Sequence, residues 1–257
     1  IAPPPIAATI ASATVLESTV SVSLYRVDVS AQGDRRMEFT PGGKSGNFFN
    51  TQNRQTRSVQ WTESLTRVFR GTSGEHLLGV GLDLMHASYT GTSLSRPVAV
   101  LRADGTMSQR FEFGGPTAQQ AGGTDIAVYV QDRWRPLDRL LLEPGLRLDR
   151  DGVLGRATLS PRLGSVVRLF GGEASVVRGG IGVFSERTPL NVGAFESFER
   201  VTVTRFDADG VTPLSPPVTF VPRSSRLEIP RGLVWKVEFD QRVTSNLLLK
   251  VNHLQRQ

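Results

Sequence analysis

The stretch that decides the fold is Asp125-Ile126-Ala127-Val128-Tyr129-Val130-Gln131-Asp132-Arg133-Trp134-Arg135-Pro136-Leu137-Asp138-Arg139-Leu140-Leu141-Leu142-Glu143-Pro144-Gly145-Leu146-Arg147-Leu148-Asp149-Arg150. Ile126, Val128 and Val130 alternate with Ala127, Tyr129 and Gln131, a period of two that defines a strand. Arg135-Pro136-Leu137-Asp138-Arg139 then reverses the chain, with proline pre-setting the bend and aspartate able to cap it. The return strand places Leu140, Leu142, Leu146 and Leu148 on one face and Glu143, Gly145, Arg147 and Asp149 on the other. This is an antiparallel hairpin with one apolar and one polar side.

The same grammar recurs along the chain. Leu159, Leu163, Val167 and Leu169 oppose Arg162, Gly164 and Arg168; after Gly171-Gly172-Glu173, Val177, Ile181 and Val183 oppose Arg178 and Gly182. Leu233, Trp235, Val237 and Phe239 alternate with Lys236, Glu238 and Asp240, and a turn at Thr244-Ser245-Asn246 leads to Leu247, Leu249 and Val251, opposite Lys250 and Asn252. Earlier, Val59, Trp61 and Leu65 precede Gly71-Thr72-Ser73-Gly74, and Leu78, Val80, Leu82 and Leu84 follow it. Val20, Val22 and Leu24 mark a first strand over roughly 17–29, so nine spanning segments are expected.

The connections sort by length. Turns at 71–75, 136–139, 171–173 and 243–246 are short, while those at 30–56, 91–123 and 187–231 are long and rich in Gly, Pro, Ser and Thr. Short and long joints alternate, so they collect at opposite ends of the sheet; only the brief joint at 151–157 departs from this. Outer-membrane barrels show this asymmetry, with tight turns on the periplasmic side and longer loops outside. A soluble β-sandwich also alternates, but its strands usually run about 5–6 residues. Strands of about 11–14 residues suit a tilted membrane crossing instead. Trp134, beside the Pro136 turn, is a candidate interfacial aromatic.

Composition narrows the function classes. At 257 residues and 39% hydrophobic content, the chain has no apolar run near the ~20 residues a helical span needs. It has no cysteine, hence neither disulfide nor thiolate metal site. The net charge of +6 comes mostly from arginines scattered along the whole chain, with lysine only at 44, 236 and 250. Nucleic acid needs a clustered basic patch, so it is not an expected partner. Ile1-Ala2-Pro3-Pro4-Pro5 does not read as a signal peptide, having no basic start and no cleavage site after an apolar core. The expectation is an internal segment of a longer exported chain.

Tyr129-Val130-Gln131-Asp132-Arg133-Trp134-Arg135-Pro136, then Asp138-Arg139-Leu140, Leu142 and Gly145-Leu146-Arg147-Leu148-Asp149, resembles the barrel of TonB-dependent receptors. There a Y-x-Q-D-x-W strand is followed by a periplasmic turn and an L-x-x-G-x-R-x-D strand. Ser160-Pro161-Arg162-Leu163-Gly164 and Val177-Arg178-Gly179-Gly180-Ile181-Gly182-Val183-Phe184 resemble the next hairpin, with Ile181 where an aromatic is common and Leu148 where tyrosine often stands. The likeness is dense over about 124–186 and looks closest to receptors carrying a carboxypeptidase-regulatory-like domain. It implies an all-β, antiparallel transmembrane barrel of 22 strands with a plug inside, in the bacterial outer membrane, working with the TonB complex. Residues 1–257 would be part of that barrel domain, with signal peptide, plug and TonB box lying outside it. Outer-membrane lipid and an unidentified small ligand (siderophore, vitamin, oligosaccharide or peptide) are the other expected partners, and a monomer is the expected state.

Chemistry beyond transport is little signalled. Gly42-Gly43-Lys44-Ser45 lacks the glycine a phosphate loop needs five positions before Gly43, where Glu38 stands, and reads as a flexible external loop. Asp207-Ala208-Asp209-Gly210 opens like a calcium loop, but Val211 and the missing distal glutamate make a turn the expectation and a loose calcium site the alternative. His76, His86 and His253 share no metal-ligand spacing and read as strand-end residues. There is no Gly-x-Ser-x-Gly elbow, and the sequence brings no Ser/His/Asp set together. No catalytic residue, metal or cofactor is expected. The candidate lumen-facing residues are Arg133, Glu143, Arg147, Asp149, Arg162, Arg168, Arg178, Glu238 and Asp240. They could form an ion-pair network along a solvated wall, or steer an anionic ligand such as a ferric chelate. A passive porin, and more remotely a barrel enzyme, are the rival readings.

Overall fold

A computed structural model of the chain describes residues 6–11, 13–171, 174–223 and 227–257. Residues 1–5 and two residues of the expected 171–173 turn lie outside the described residues. In chain order the strands are β1 (Ile6–Ala11), β2 (Thr14–Val29), β3 (Met37–Thr40), β4 (Gly43–Ser45), β5 (Asn50–Gly71), β6 (Gly74–Ser95), β7 (Val98–Leu101) and β8 (Met107–Gly114). They continue with β9 (Ala118–Leu137), β10 (Leu140–Arg150), β11 (Ala157–Arg168), β12 (Ser175–Ser185), β13 (Arg200–Arg205), β14 (Val218–Phe220), β15 (Arg231–Thr244) and β16 (Leu247–Arg256). One short helix, α1 (Leu190–Gly193), follows β12.

Ten of these strands form one antiparallel sheet in the order β1-β2-β5-β6-β9-β10-β11-β12-β15-β16. Nine are the spanning segments expected from alternation; the tenth, β1, pairs with the start of β2. Each neighbour in the sheet is the next long strand of the chain, a meander that needs only hairpin joints. The register fixes the faces. Leu65, Val80, Val130 and Leu146 lie in one row across β5, β6, β9 and β10, and Leu82, Val128, Leu148 and Leu159 in another. Val128, Leu146, Leu148 and Leu159 are each about two-fifths to one-half exposed, so this apolar face is covered by no other part of the chain among the described residues. An uncovered apolar surface this extensive marks a membrane or protein contact. Acidic side chains also fall within its apolar rows, among them Glu63, which accepts a hydrogen bond from Trp61 Nε1 at 3.1 Å, and Asp132.

The strands outrun the crossing. β5 and β6 each hold 22 residues, a rise of about 55 Å at a 40° tilt against an apolar band about 25 Å tall. Their upper parts carry Gln52, Asn53, Gln55 and Thr90, which alternate without any apolar face. The hydrophobic period stops there while the backbone ladder continues, so the long connections begin later than the sequence suggested.

Those connections are also not plain loops. They build a second, six-stranded sheet in the order β14-β13-β8-β7-β3-β4. β3 from the first connection runs parallel to β7 of the second, and β13 from the third pairs antiparallel with β8. Phe49 stacks on Phe113 at 5.4 Å, and Arg102 Nη2 donates to the Phe206 carbonyl at 2.6 Å across connections. Gly42-Gly43-Lys44-Ser45, expected as a flexible loop, is instead the tip and return strand of the β3–β4 hairpin. Gly43 holds φ +131°, a conformation open to glycine and strained for other residues. At Asp207–Gly210 the structure shows a turn: Asp209 Oδ1 accepts the N–H groups of Val211 and Thr212, each at 2.9 Å.

Candidate functional site

All nine charged residues singled out from the sequence share the polar face of the large sheet. Register places Arg133 and Glu143 in one row, Arg147 in the next row but one, and Asp149 beyond it beside Thr158. Arg162 stands opposite Gly145 and Gly182, Arg178 opposite Glu238, and Arg168 opposite Val176, which in turn faces Asp240. Trp134 lies on the other, apolar face at the short-turn end, its ring 5.6 Å from that of His76. His86 Nδ1 lies 2.9 Å from Thr124 Oγ1, and His253 packs on Trp235 with ring centroids 4.8 Å apart.

Two charge clusters form on the polar face. Near β15, Arg178 pairs with Asp240 and lies 3.3 Å from Glu238, while Lys236 Nζ reaches Glu238 at 2.6 Å and Lys250 Nζ reaches Asp240 at 3.8 Å. Arg133 and Glu143 pair separately at 3.2 Å. Arg162 lies flat over Gly145, where any Cβ would come within 3.1 Å of its Cγ. Among the described residues neither Arg162 nor Arg168 has an ion-pair partner.

The second cluster reaches across four strands and the segment that follows β12. Arg147 pairs with Asp149 at 2.8 Å and with Asp83 of β6 at 3.4 Å, and Gln60 Nε2 donates to Asp83 at 2.8 Å. Arg187, from the segment after β12, closes the group: its Nε lies 2.9 Å from Asp125 and its Nη2 3.8 Å from Asp83. Asp83, Asp125, Asp149 and Asp151 and the guanidinium groups of Arg147 and Arg187 are among the side chains that line a recess of about 330 Å³. Asp83, Asp125 and Arg187 were not among the residues picked from sequence. Asp83 sits between Leu82 and Leu84, so alternation alone placed it on the polar face; Arg187 lies in a connection, where no period assigns a face.

Arg187 brings its whole segment over the sheet. α1 packs against β6 and β9 on the polar side, and the Thr188 N–H donates to the buried Asp151 carboxylate at 2.9 Å. Asp151 also accepts the N–H groups of Val153 and Leu154 at 3.0 and 2.7 Å, which shapes the brief joint between β10 and β11. Burial, the largest single influence, pushes this carboxyl up, but the N–H donors of Leu154, Thr188 and Val153 together hold it below the usual carboxylate value. Further along, Glu199 accepts from the Ser95 N–H at 3.0 Å and its hydroxyl at 2.6 Å. Segment 186–199 is therefore tied at both ends across the long-connection mouth of the sheet.

A family model described as TonB dependent receptor-like, beta-barrel, matches residues 11–198, about three-quarters of the chain. The chain belongs to the TonB-dependent receptor β-barrel family. With that membership the apolar face is the lipid face of a bacterial outer-membrane barrel portion. Among solved structures, the outer membrane transporter YddB from Escherichia coli superposes with a TM-score of 0.69 at 16% identity, over 98% of this chain and 33% of that one. P. aeruginosa FpvA bound to a heterologous pyoverdine superposes with a TM-score of 0.54 at 13% identity, over 97% of this chain and 39% of that one. These likenesses show the barrel fold, and the chain spans a third to two-fifths of those structures. No curated protein matches the chain by sequence.

Proposed function

We propose that residues 1–257 are part of the barrel wall of an energy-coupled outer-membrane receptor that takes up a scarce ligand. The observation that carries this reading is the capped mouth: three connections join into one six-stranded sheet, and segment 186–199 is tethered over the charged inner face. A receptor needs a capture surface outside and a polar wall below it, and the joined connections supply the first over the second. The remaining strands of a 22-stranded barrel, a plug and a TonB-contacting segment would come from the rest of the full-length protein.

The inner face serves passage and binding rather than bond-breaking. Arg133, Glu143, Arg147, Asp149, Arg178, Glu238 and Asp240 alternate in sign and pair with one another, which favours an ion-paired wall that solvates the lumen and contacts a plug. A single-sign field would be needed to steer an anionic chelate strongly. Siderophores are supported as the first ligand class to try by the pyoverdine named with FpvA. Growth of a deletion strain on siderophores, vitamins, oligosaccharides and peptides as sole sources, with and without a functional TonB, tests this. The expected result is one lost source, equally lost without TonB. Uptake that persists without TonB would establish the passive-pore reading instead.

A further inference from the structure

The lipid face holds a constellation that the barrel does not require. At the short-turn ends of β5, β6 and β9, Ser73 Oγ lies 3.2 Å from His76 Nε2, and His76 Nδ1 lies 2.6 Å from Asp132 Oδ2. A hydroxyl and a carboxylate thus engage the two opposite nitrogens of one imidazole, the arrangement that lets a serine become a nucleophile. Asp132 is 56 residues from His76 and reaches it because Leu78 faces Asp132 while His76 faces Trp134. That diagonal is a same-face neighbour within reach of both side chains.

The surroundings fix the group. The imidazole is sandwiched between Phe69, at 4.9 Å and 12°, and Trp134, at 5.6 Å and 8°. Trp134 Nε1 donates to the Ser73 carbonyl at 2.8 Å, which holds the turn that carries the hydroxyl. The side chains of His76 and Asp132 are only 15% and 21% exposed, while Ser73 is open at the turn. A ladder of rings anchoring the barrel at the membrane boundary would need neither the serine nor the carboxylate. Asp132 moreover keeps one oxygen, Oδ1, buried without a hydrogen-bond partner, a disfavoured arrangement that function must offset.

The geometry points to a serine-hydrolase site on the outside of the barrel, acting on carboxylic esters of phospholipids in the periplasmic leaflet. Aromatic rings of a barrel settle at the headgroup level, which is where the glycerol ester carbonyls of a bilayer lie. Ser73 Oγ attacks the ester carbonyl carbon as its proton passes to His76 Nε2. Collapse of the adduct breaks the bond to glycerol, and His76 protonates the departing alkoxide, leaving lysophospholipid and an acylated Ser73. Water then attacks the acyl carbon, giving a proton to His76 that returns to Ser73 as the fatty acid leaves. Asp132 is a positioning residue: it keeps the proton on Nδ1 and balances the imidazolium. Among the described residues Ser73 Oγ has no side-chain partner besides His76, so nothing else competes for the hydroxyl.

The test uses the full-length receptor in vesicles of phosphatidylethanolamine and phosphatidylglycerol, with a fluorophosphonate probe as the primary readout. Attack on phosphorus expels fluoride and leaves the probe on the serine. The expected adduct maps to Ser73 and is absent in Ser73→Ala, a change at an exposed turn that leaves folding intact. His76→Phe keeps the ring ladder, removes the base, and lowers the labelling rate about 100-fold or more. Asp132→Asn lowers it too and moves the midpoint of the pH–rate profile, which a purely structural role would leave in place. Fatty-acid release above the Ser73→Ala background completes the case. An unlabelled Ser73, equal labelling of the His76→Phe variant, or lipid hydrolysis that survives Ser73→Ala would each overturn it.

Discussion

Replacing Leu146 by arginine should block assembly of this barrel, while the neighbouring Arg147→Leu should fold. The depth of Leu146 follows from the structure. Leu142 is level with Trp134 of the aromatic band by register, and Leu146 lies four residues further along β10. Four residues rise about 13 Å along a strand, or about 10 Å along the membrane normal at a 40° tilt. The apolar band is about 25 Å tall, so Leu146 sits close to its middle, where an arginine on the lipid side costs about 2–4 kcal/mol. Its neighbours in the row are Val130 and Pro161, which offer no acidic partner. Arg147→Leu points the other way. It removes the pairs to Asp149 and Asp83, but Asp83 keeps Gln60 and Arg187, and all partners are partly solvated. That loss should cost about 1 kcal/mol. Heat-modifiability on gels reads assembly and urea unfolding in lipid vesicles reads stability. Equal damage from the two substitutions, or a harmless Leu146→Arg, would refute the assignment of faces and with it the membrane-spanning sheet.

Two further perturbations probe the tethered segment. Arg187→Ala releases Asp83 and Asp125 from outside the sheet, so chymotrypsin should cut at Phe195 and Phe198 several-fold faster than in the wild type; unchanged cleavage would mean the tether does not hold. Asp151 has its carboxyl held down in the folded state, so its stabilisation is complete above the unfolded value near 3.9 and is lost as pH falls through the lower folded value. Protection of the Val153, Leu154 and Thr188 amides, taken as the ratio of intrinsic to observed exchange rate, should therefore fall on acidification in the wild type and lose that dependence in Asp151→Asn; an identical pH response in the variant would remove Asp151 as the cause.

The sequence by itself determined the wall. A side chain in a strand has two possible sides, so alternation of Leu140, Leu142, Leu146 and Leu148 with Glu143, Arg147 and Asp149 assigns every face at once, and turn lengths give the wall its direction. It could not show where β5 and β6 end, because hydrophobic period vanishes above the lipid while backbone pairing persists. Only the tertiary structure decided the six-stranded cap, whose β3 and β7 come from separate connections. The reach of Arg187 to Asp83 and Asp125 was likewise invisible, since a connection has no period that fixes a side chain's partner. The same holds for Ser73, His76 and Asp132: each lies where its strand or turn demands, but their meeting depends on the register between β6 and β9, which is set by the whole pairing of two strands and by no residue of either alone.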